Sequence, residues 1–264
     1  MKKLSDVELF LFDMDGTVYI ADTPLPGAFE ALNELKRMGK KVAFFTNNSS
    51  KSLLECADKL RSMGYDAEEE DIYTSSMVTC EYIKDNYKNA RVFVLGNDNL
   101  KQFFHDYGIT LDDRNPDLLV VGFDTSLTYG NLYKFCCFVH AGVPYIATHP
   151  DITCPSYPAP LPDVGAILKM IEASTDAKPV SIMGKPFKPS AEGIKKRFSL
   201  PADKIAMVGD RLYTDILFGV DNGMVSVLVL TGDTDADMAE KSPVKADYIL
   251  GSVRDIPEAV KSGR

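Results

Sequence analysis

The sequence predicts an α/β protein built on a doubly wound, mostly parallel sheet. Two observations carry this. Short apolar runs alternate with amphipathic segments along nearly all of the 264 residues, the pattern of repeated strand–helix–strand units. The runs are also continuously apolar rather than alternating, as strands covered on both faces require. The composition agrees: 45% hydrophobic residues supply a core, and 25% charged residues are ordinary for a globular domain.

Each element follows from local pattern. Leu9–Phe12 is a short apolar strand that runs into Asp13-Met14-Asp15-Gly16-Thr17. Phe29, Leu32, Leu35 and Met38 recur at three-residue steps, a helical stripe closed by Gly39. Lys41–Phe45 is the next strand, followed by Thr46-Asn47-Asn48-Ser49-Ser50. Leu53, Leu54, Ala57, Leu60 and Met63 then repeat the helical spacing as far as Gly64. Strands are expected at Arg91–Leu95, Leu118–Val121 and Tyr145–Thr148. Prolines at 150, 155, 158, 160 and 162 mark Thr148 to Pro162 as a long structured loop, either functional or a rigid connector. Val180–Met183 leads into Gly184-Lys185-Pro186, and Ile205–Val208 into Gly209-Asp210-Arg211-Leu212-Tyr213-Thr214-Asp215. Strands at Ser226–Leu230 and Tyr248–Leu250 complete the series.

Bulk properties exclude several classes. A formal charge of −9 provides no basic field for nucleic acid. No apolar run reaches the length of a membrane span. The start, Met1-Lys2-Lys3-Leu4-Ser5-Asp6, lacks the apolar core of a secretory signal, so a cytoplasmic location is expected. Five cysteines, with no Cys-x-x-Cys, read as small buried hydrophobes, and His105, His140 and His149 show no zinc-type spacing.

The chemistry concentrates at strand ends, expected in one sheet. Ligands of open α/β sheets bind at the carboxyl ends of strands. Two acids there, Asp13 and Asp15, repel each other unless a cation or proton accompanies them. Thr46 to Ser50 can cap a helix, and free N–H groups at a helix start favour an anion. Lys185 is a solvated side chain or a cation for the site. Asp210 and Asp215 add carboxylates. Oxygen ligands of this kind suit Mg²⁺, which takes further ligands from water and substrate phosphate. A carboxylate can also be the nucleophile of phosphoryl transfer.

With these motifs in this order, Asp-x-Asp-Gly-Thr, Thr-Asn, Lys-Pro and Gly-Asp-x-x-x-x-Asp, the chain resembles the haloacid-dehalogenase superfamily of phosphatases. Pro26-Gly27 and Thr46-Asn47-Asn48-Ser49 are similar to its NagD-like, para-nitrophenylphosphatase-like branch. The resemblance implies that Asp13 becomes an aspartyl-phosphate and that Asp15 is general acid and base. It implies Mg²⁺ on the Asp13 side chain, the Asp15 backbone carbonyl and Asp210, with Asp215 orienting Lys185 or a metal-bound water. Thr46, Asn47 and Lys185 would hold phosphoryl oxygens, and Arg211 and Thr214 would add contacts. An aspartate at position 15 fits phosphatases and phosphomutases, which must protonate a leaving alcohol.

About thirty residues separate the first two motifs, room for one helix and its return but no lid. The longer stretch before Lys185 is expected to hold a second, smaller α/β domain, the cap, at residues 85–178. The core would then be discontinuous, at 1–84 and 179–264. Relatives of this branch usually carry Thr-Asn-x-Asp and Pro-Gly-x-Gly in the cap, where this chain has Thr148-His149-Pro150-Asp151 and Pro162-Asp163-Val164-Gly165. Asp163 reads as a helix N-cap or a substrate contact, His149 as a buried structural residue or a substrate contact. The function expected is Mg²⁺-dependent hydrolysis of small phosphomonoesters such as sugar phosphates or nucleoside monophosphates. The alternatives are a phosphomutase and a non-catalytic phosphometabolite-binding protein. Apolar cap residues such as Leu132–Val139 suit a homodimer through the cap, and equally ordinary core packing.

Overall fold

A computed structural model describes residues 2–156 and 158–263. The chain divides into two compact units. The first takes the chain up to Thr46, Leu53–Tyr73, and the chain from Ile194 onward; the second takes Asn47–Ser52 and Thr74–Gly193. The inserted segment expected at 85–178 lies wholly within the second unit.

The first unit is organised by a six-stranded sheet in the order Tyr248–Leu250, Val225–Val229, Ile205–Gly209, Leu9–Phe12, Lys41–Thr46, Ile72–Thr74. Leu9–Phe12 is central and pairs in parallel with Ile205–Gly209 on one side and Lys41–Thr46 on the other. Chain order reverses across this strand, which makes its carboxyl end the topological switch point where ligands of open sheets bind. The continuous apolar runs have a direct explanation. Side chains alternate between faces, and both faces are covered. Phe44 meets Tyr65 edge-on at 5.6 Å, while its neighbour Phe45 packs on Tyr73 and Phe218, each at 5.6 Å. Burial of each such ring stabilises the unit by about 1.5–3 kcal/mol. The helix Ala28–Arg37 presents Ala28, Ala31, Leu32 and Leu35 to the same core as Phe10, Phe12 and Phe44. Met38 and left-handed Gly39 end it where the stripe ends.

The second unit holds a five-stranded sheet ordered Ser181–Ile182, Tyr145–Ala147, Leu118–Val121, Arg91–Leu95, Thr110–Leu111, its pairs parallel. The helices Tyr129–His140 and Val164–Thr175 share its core through Phe135, Ile167 and Ile171, packed with Phe93, Leu119 and Val121. The α/β class with two mostly parallel sheets is thus as the sequence predicts.

Two readings need correction. The strand before Lys185 was expected in the same sheet as those preceding Asp13 and Asp210, yet Ser181 registers with Ile146 in the second sheet. An apolar run announces a strand but not its partner, and this one is short and half-buried. The cysteines also differ. None of the five forms a disulfide among the described residues, and Cys56, Cys80 and Cys136 are buried, but Cys137 is exposed and Cys154 half-buried. Adjacent residues on a helix point about 100° apart, so Cys136 and Cys137 cannot both face the core. The proline-rich stretch contains a small antiparallel ribbon, Thr153–Cys154 against Leu161–Pro162.

Candidate active site

The first unit gathers carboxylates at the switch point. The Asp13 backbone N–H donates to Val208 O at 2.8 Å, holding the residue flush with the neighbouring strand. The chain then turns tightly. Met14 O accepts from the amides of Val18 and Tyr19, and the amide of Gly16 donates to Tyr19 O at 2.8 Å. Gly16 has φ +81°, and a Cβ there would lie 2.5 Å from Asp210 Oδ2. Gly232 presses from another side, its notional Cβ 2.0 Å from the same oxygen. Only glycine leaves space for that carboxylate at both positions.

Asp210, on the end of Ile205–Gly209, accepts from Thr17 Oγ1 at 3.0 Å and from the Asp233 amide at 2.8 Å. Asp215 reaches the same place from a single π-helical turn, Leu212–Ile216, a distortion frequent at functional sites. One of its oxygens accepts from the Arg211 amide at 3.2 Å. Its Cβ packs so closely on Gly209 that a side chain there would come within 2.3 Å. Carboxylate oxygens of Asp13, Asp210 and Asp215 all lie within 4.8 Å of one another, and Asp210 and Asp215 are buried. Burial, then the charge of Asp13, pushes the Asp210 carboxyl up to about 6. Crowded buried acids of this kind are unfavourable unless a cation neutralises them. The three hard oxygen donors therefore fit a divalent cation of the Mg²⁺ type.

The other candidates of this unit have distinct places. Asp15 lies in the turn, bridged to Tyr19, and its side chain is not part of the three-carboxylate group. Thr46 is the buried last residue of Lys41–Thr46. Arg211 Nε stands 2.7 Å from Asp233 Oδ2, a contact without hydrogen-bond alignment. Burial opposes its charge, but Asp13 and Asp233 outweigh that and keep the guanidinium protonated. Thr214 is buried within the π turn. Tyr19 is a residue that sequence reasoning missed. Burial, then Asp15 and Asp13, raises its phenol far above the usual range, so it stays a donor beside two acids. Its signal in the sequence, an aromatic four residues after Asp15, is too ordinary to read.

The second unit builds a different group. Asn47 and Lys185 are both buried. The Asn47 carboxamide takes both backbone groups of Lys185, accepting its N–H at 2.7 Å and donating to its C=O at 3.0 Å. Asn47 Nδ2 also donates to the Asp151 carboxylate, at 3.1 and 3.2 Å from its two oxygens. The side-chain donors of Asn47 are thereby engaged within the protein, and the residue positions Lys185. Ser75 Oγ donates to Asn47 O at 2.6 Å, and Thr148 Oγ1 to Ser49 Oγ at 3.0 Å, which fix the rest of the Thr-Asn-Asn-Ser turn. Asp163 caps the helix Val164–Thr175 through the Val164 amide at 2.6 Å.

Comparison with known proteins shows the family. A model described as haloacid dehalogenase-like hydrolase matches residues 10–110, and a second, HAD-hydrolase-like model matches 182–256. The chain is 34% identical to 5'-nucleotidase YutF of Bacillus subtilis over 244 residues, 92% of this chain and 95% of that protein. It is 33% identical to Sugar-phosphatase AraL of the same organism, covering 96% and 93%. Among solved structures, a 4-nitrophenylphosphatase from Thermotoga maritima superposes with a TM-score of 0.94 at 45% identity, covering 97% and 98% of the two chains.

Proposed function

The chain belongs to the haloacid dehalogenase-like hydrolases as a NagD-like phosphatase, and from that premise we propose that it hydrolyses small sugar phosphates or nucleoside monophosphates through an aspartyl-phosphate on Asp13. The observation that carries the proposal is the convergence of Asp13, Asp210 and Asp215 at the switch point, their oxygens within 4.8 Å. Asp13 and Asp210 would hold Mg²⁺ together with the backbone carbonyl of Asp15, and Asp215, expected only to orient Lys185 or a metal-bound water, lies close enough to join them. Bound there, Mg²⁺ supplies charge neutralisation for a dianionic phosphoryl group and for the nucleophile.

The protein's own groups do the rest. A carboxylate oxygen of Asp13 attacks phosphorus, the bond from phosphorus to the ester oxygen breaks, and the Asp15 carboxyl gives its proton to the departing alkoxide. Asp15, now ionised, takes a proton from water as that water attacks the acyl phosphate. Inorganic phosphate leaves and Asp13 is regenerated. The Thr46 hydroxyl, the Asn47 backbone amide and the Lys185 ammonium would hold the phosphoryl oxygens, and Arg211 and Thr214 would add contacts. The second unit, which contains the 85–178 insertion, serves as the cap that selects the leaving group. The relatives named for nucleotides and for sugar phosphates support both substrate classes.

The test is phosphate release from a panel of small phosphomonoesters, with Mg²⁺ and with chelator. Mg²⁺-dependent release is expected, with the ranking identifying the leaving group. No release by folded protein, or conversion of one sugar phosphate isomer into another without free phosphate, overturns the proposal.

A further inference from the structure

Inside the second unit, His149 is fully buried, and neither ring nitrogen has a hydrogen-bond partner. A buried imidazole with both nitrogens idle is costly, so its surroundings call for an explanation. Two carboxylates flank it. Asp163 Oδ1 lies 3.5 Å from Nε2, and Asp151 Oδ2 lies 3.8 Å from Nδ1. Asp151 is the carboxylate that receives Asn47 Nδ2, and Asn47 holds both backbone groups of Lys185. The base of the histidine also lies close to Gly184, the residue before the same lysine. Gly184, at φ +75°, sits so close that a Cβ there would be 2.7 Å from His149 Cβ and 2.7 Å from Asn47 Oδ1.

We infer that His149 is a positioning residue for Lys185, acting through Asp151 and Asn47 on one side and through Gly184 on the other. The inference rests on the reading of Lys185 as the cation that holds the phosphoryl group. The proton arrangement is consistent with it. Burial holds the imidazole neutral, against the pull of Asp163, and burial also raises Asp163. A neutral ring has one N–H. Placing it on Nδ1 turns it toward Asp151, and Asp163 Oδ1 lies on the Nε2 side. Asp151 itself receives Asn47 Nδ2 through both carboxylate oxygens. The buried ring packs beside the Asp151 carboxylate that grips Asn47, which matters because small displacements of phosphate-holding groups are expensive in phosphoryl transfer.

The experiment compares His149→Leu and His149→Asn, using inorganic phosphate as a competitive inhibitor of 4-nitrophenyl phosphate hydrolysis. Leucine fills the space without polarity. Asparagine can place an amide donor where Nδ1 stands, on the arm leading to Lys185. His149→Leu is expected to weaken phosphate inhibition by about tenfold, with the Mg²⁺ requirement within about twofold of the parent, and His149→Asn to stay within about threefold. Unchanged phosphate affinity in His149→Leu, or equal weakening in both variants, overturns the inference, because the second outcome reports volume alone. Should His149→Leu fail to fold, Asp151→Asn decides. It is expected to weaken phosphate inhibition, and unchanged inhibition overturns the inference. Lys185→Met separates the two levels. If it leaves turnover and phosphate affinity intact, the phosphate-holding role of Lys185 fails; if it impairs both while His149→Leu does not, only the role of His149 fails.

Discussion

The carboxylates of the first unit and the Asn47–Lys185 pair of the second both grow from strand-end segments, yet they are stabilised in opposite ways. Asp13, Asp210 and Asp215 crowd like charges within 4.8 Å, with glycines packed around them. Asn47, Asp151 and Lys185 are joined by hydrogen bonds that leave the Asn47 amide saturated. On the proposed reading a cation would complete the first group, whereas the Asn47 carboxamide of the second is already satisfied within the protein. On that reading chemistry is assigned to the first and positioning to the second. Groups that react or bind metal carry unfavourable charge, whereas groups that aim them are satisfied within the protein.

The sharpest way to break the comparison is Asp13→Asn. Loss of the nucleophile should lower phosphate release by about 10⁴-fold or more while leaving the fold intact. Full activity in this variant would remove Asp13 from the chemistry and reduce the carboxylate group to a structural cluster.

Two glycine substitutions then test whether the groups fail in different ways. Gly232→Ala drives a methyl to within 2.0 Å of Asp210 Oδ2. It should raise the Mg²⁺ concentration for half-maximal activity by about tenfold and cost roughly 1–3 kcal/mol of stability. Gly184→Ala meets Asn47 and His149 instead, and should raise KM with little change in Mg²⁺ requirement. Mg²⁺ titrations of both variants read this directly. An identical effect of both would mean that the two groups are not functionally distinct.

The sequence makes the reactive group far more legible than the positioning group. Asp13 and Asp210 follow fully apolar strands, and four of the predicted strands, including Leu9–Phe12 and Leu118–Val121, match the structure end to end. Continuous apolarity is a local property, so it can be read locally. Partnership cannot be. Nothing in Val180–Met183 says that Ser181 pairs with Ile146, and Ile72–Thr74 escapes because three residues after the acidic turn Glu69–Asp71 form no recognisable run. The use of the Asn47 amide depends on Asp151 and Lys185, 104 and 138 residues away. Asp215 is expected at the site from Gly-Asp-x-x-x-x-Asp, but the π turn that carries it is a distortion the pattern does not announce.

A pH measurement sharpens the same contrast at smaller amplitude. The Asp210 carboxyl titrates at about 6 in the folded protein, against 3.8 in its ordinary state. A folded value above the unfolded one means stability that is full below about pH 4 and lost as pH rises through 6. In chelator, this group therefore destabilises the neutral protein. Mg²⁺ favours the ionised form, so the rise in Tm on adding Mg²⁺ should be larger at pH 7.5 than at pH 5. Equal shifts at both values would mean that Asp210 is not a ligand.

The smallest effect expected lies at the far end of the positioning group. Asp163 touches His149 but not Asp151's partner Asn47, and it also caps the helix Val164–Thr175. Asp163→Ser keeps a capping oxygen while deleting the carboxyl that faces the ring, so the helix should lose at most about 1 kcal/mol. Phosphate inhibition should weaken by about two- to threefold, less than in His149→Leu, because the Nδ1 arm toward Asp151 survives. If Asp163→Ser instead matched His149→Leu in phosphate affinity, the ring's orientation would be set from the helix side, and control of Lys185 would begin at the N-terminus of Val164–Thr175 rather than at the histidine.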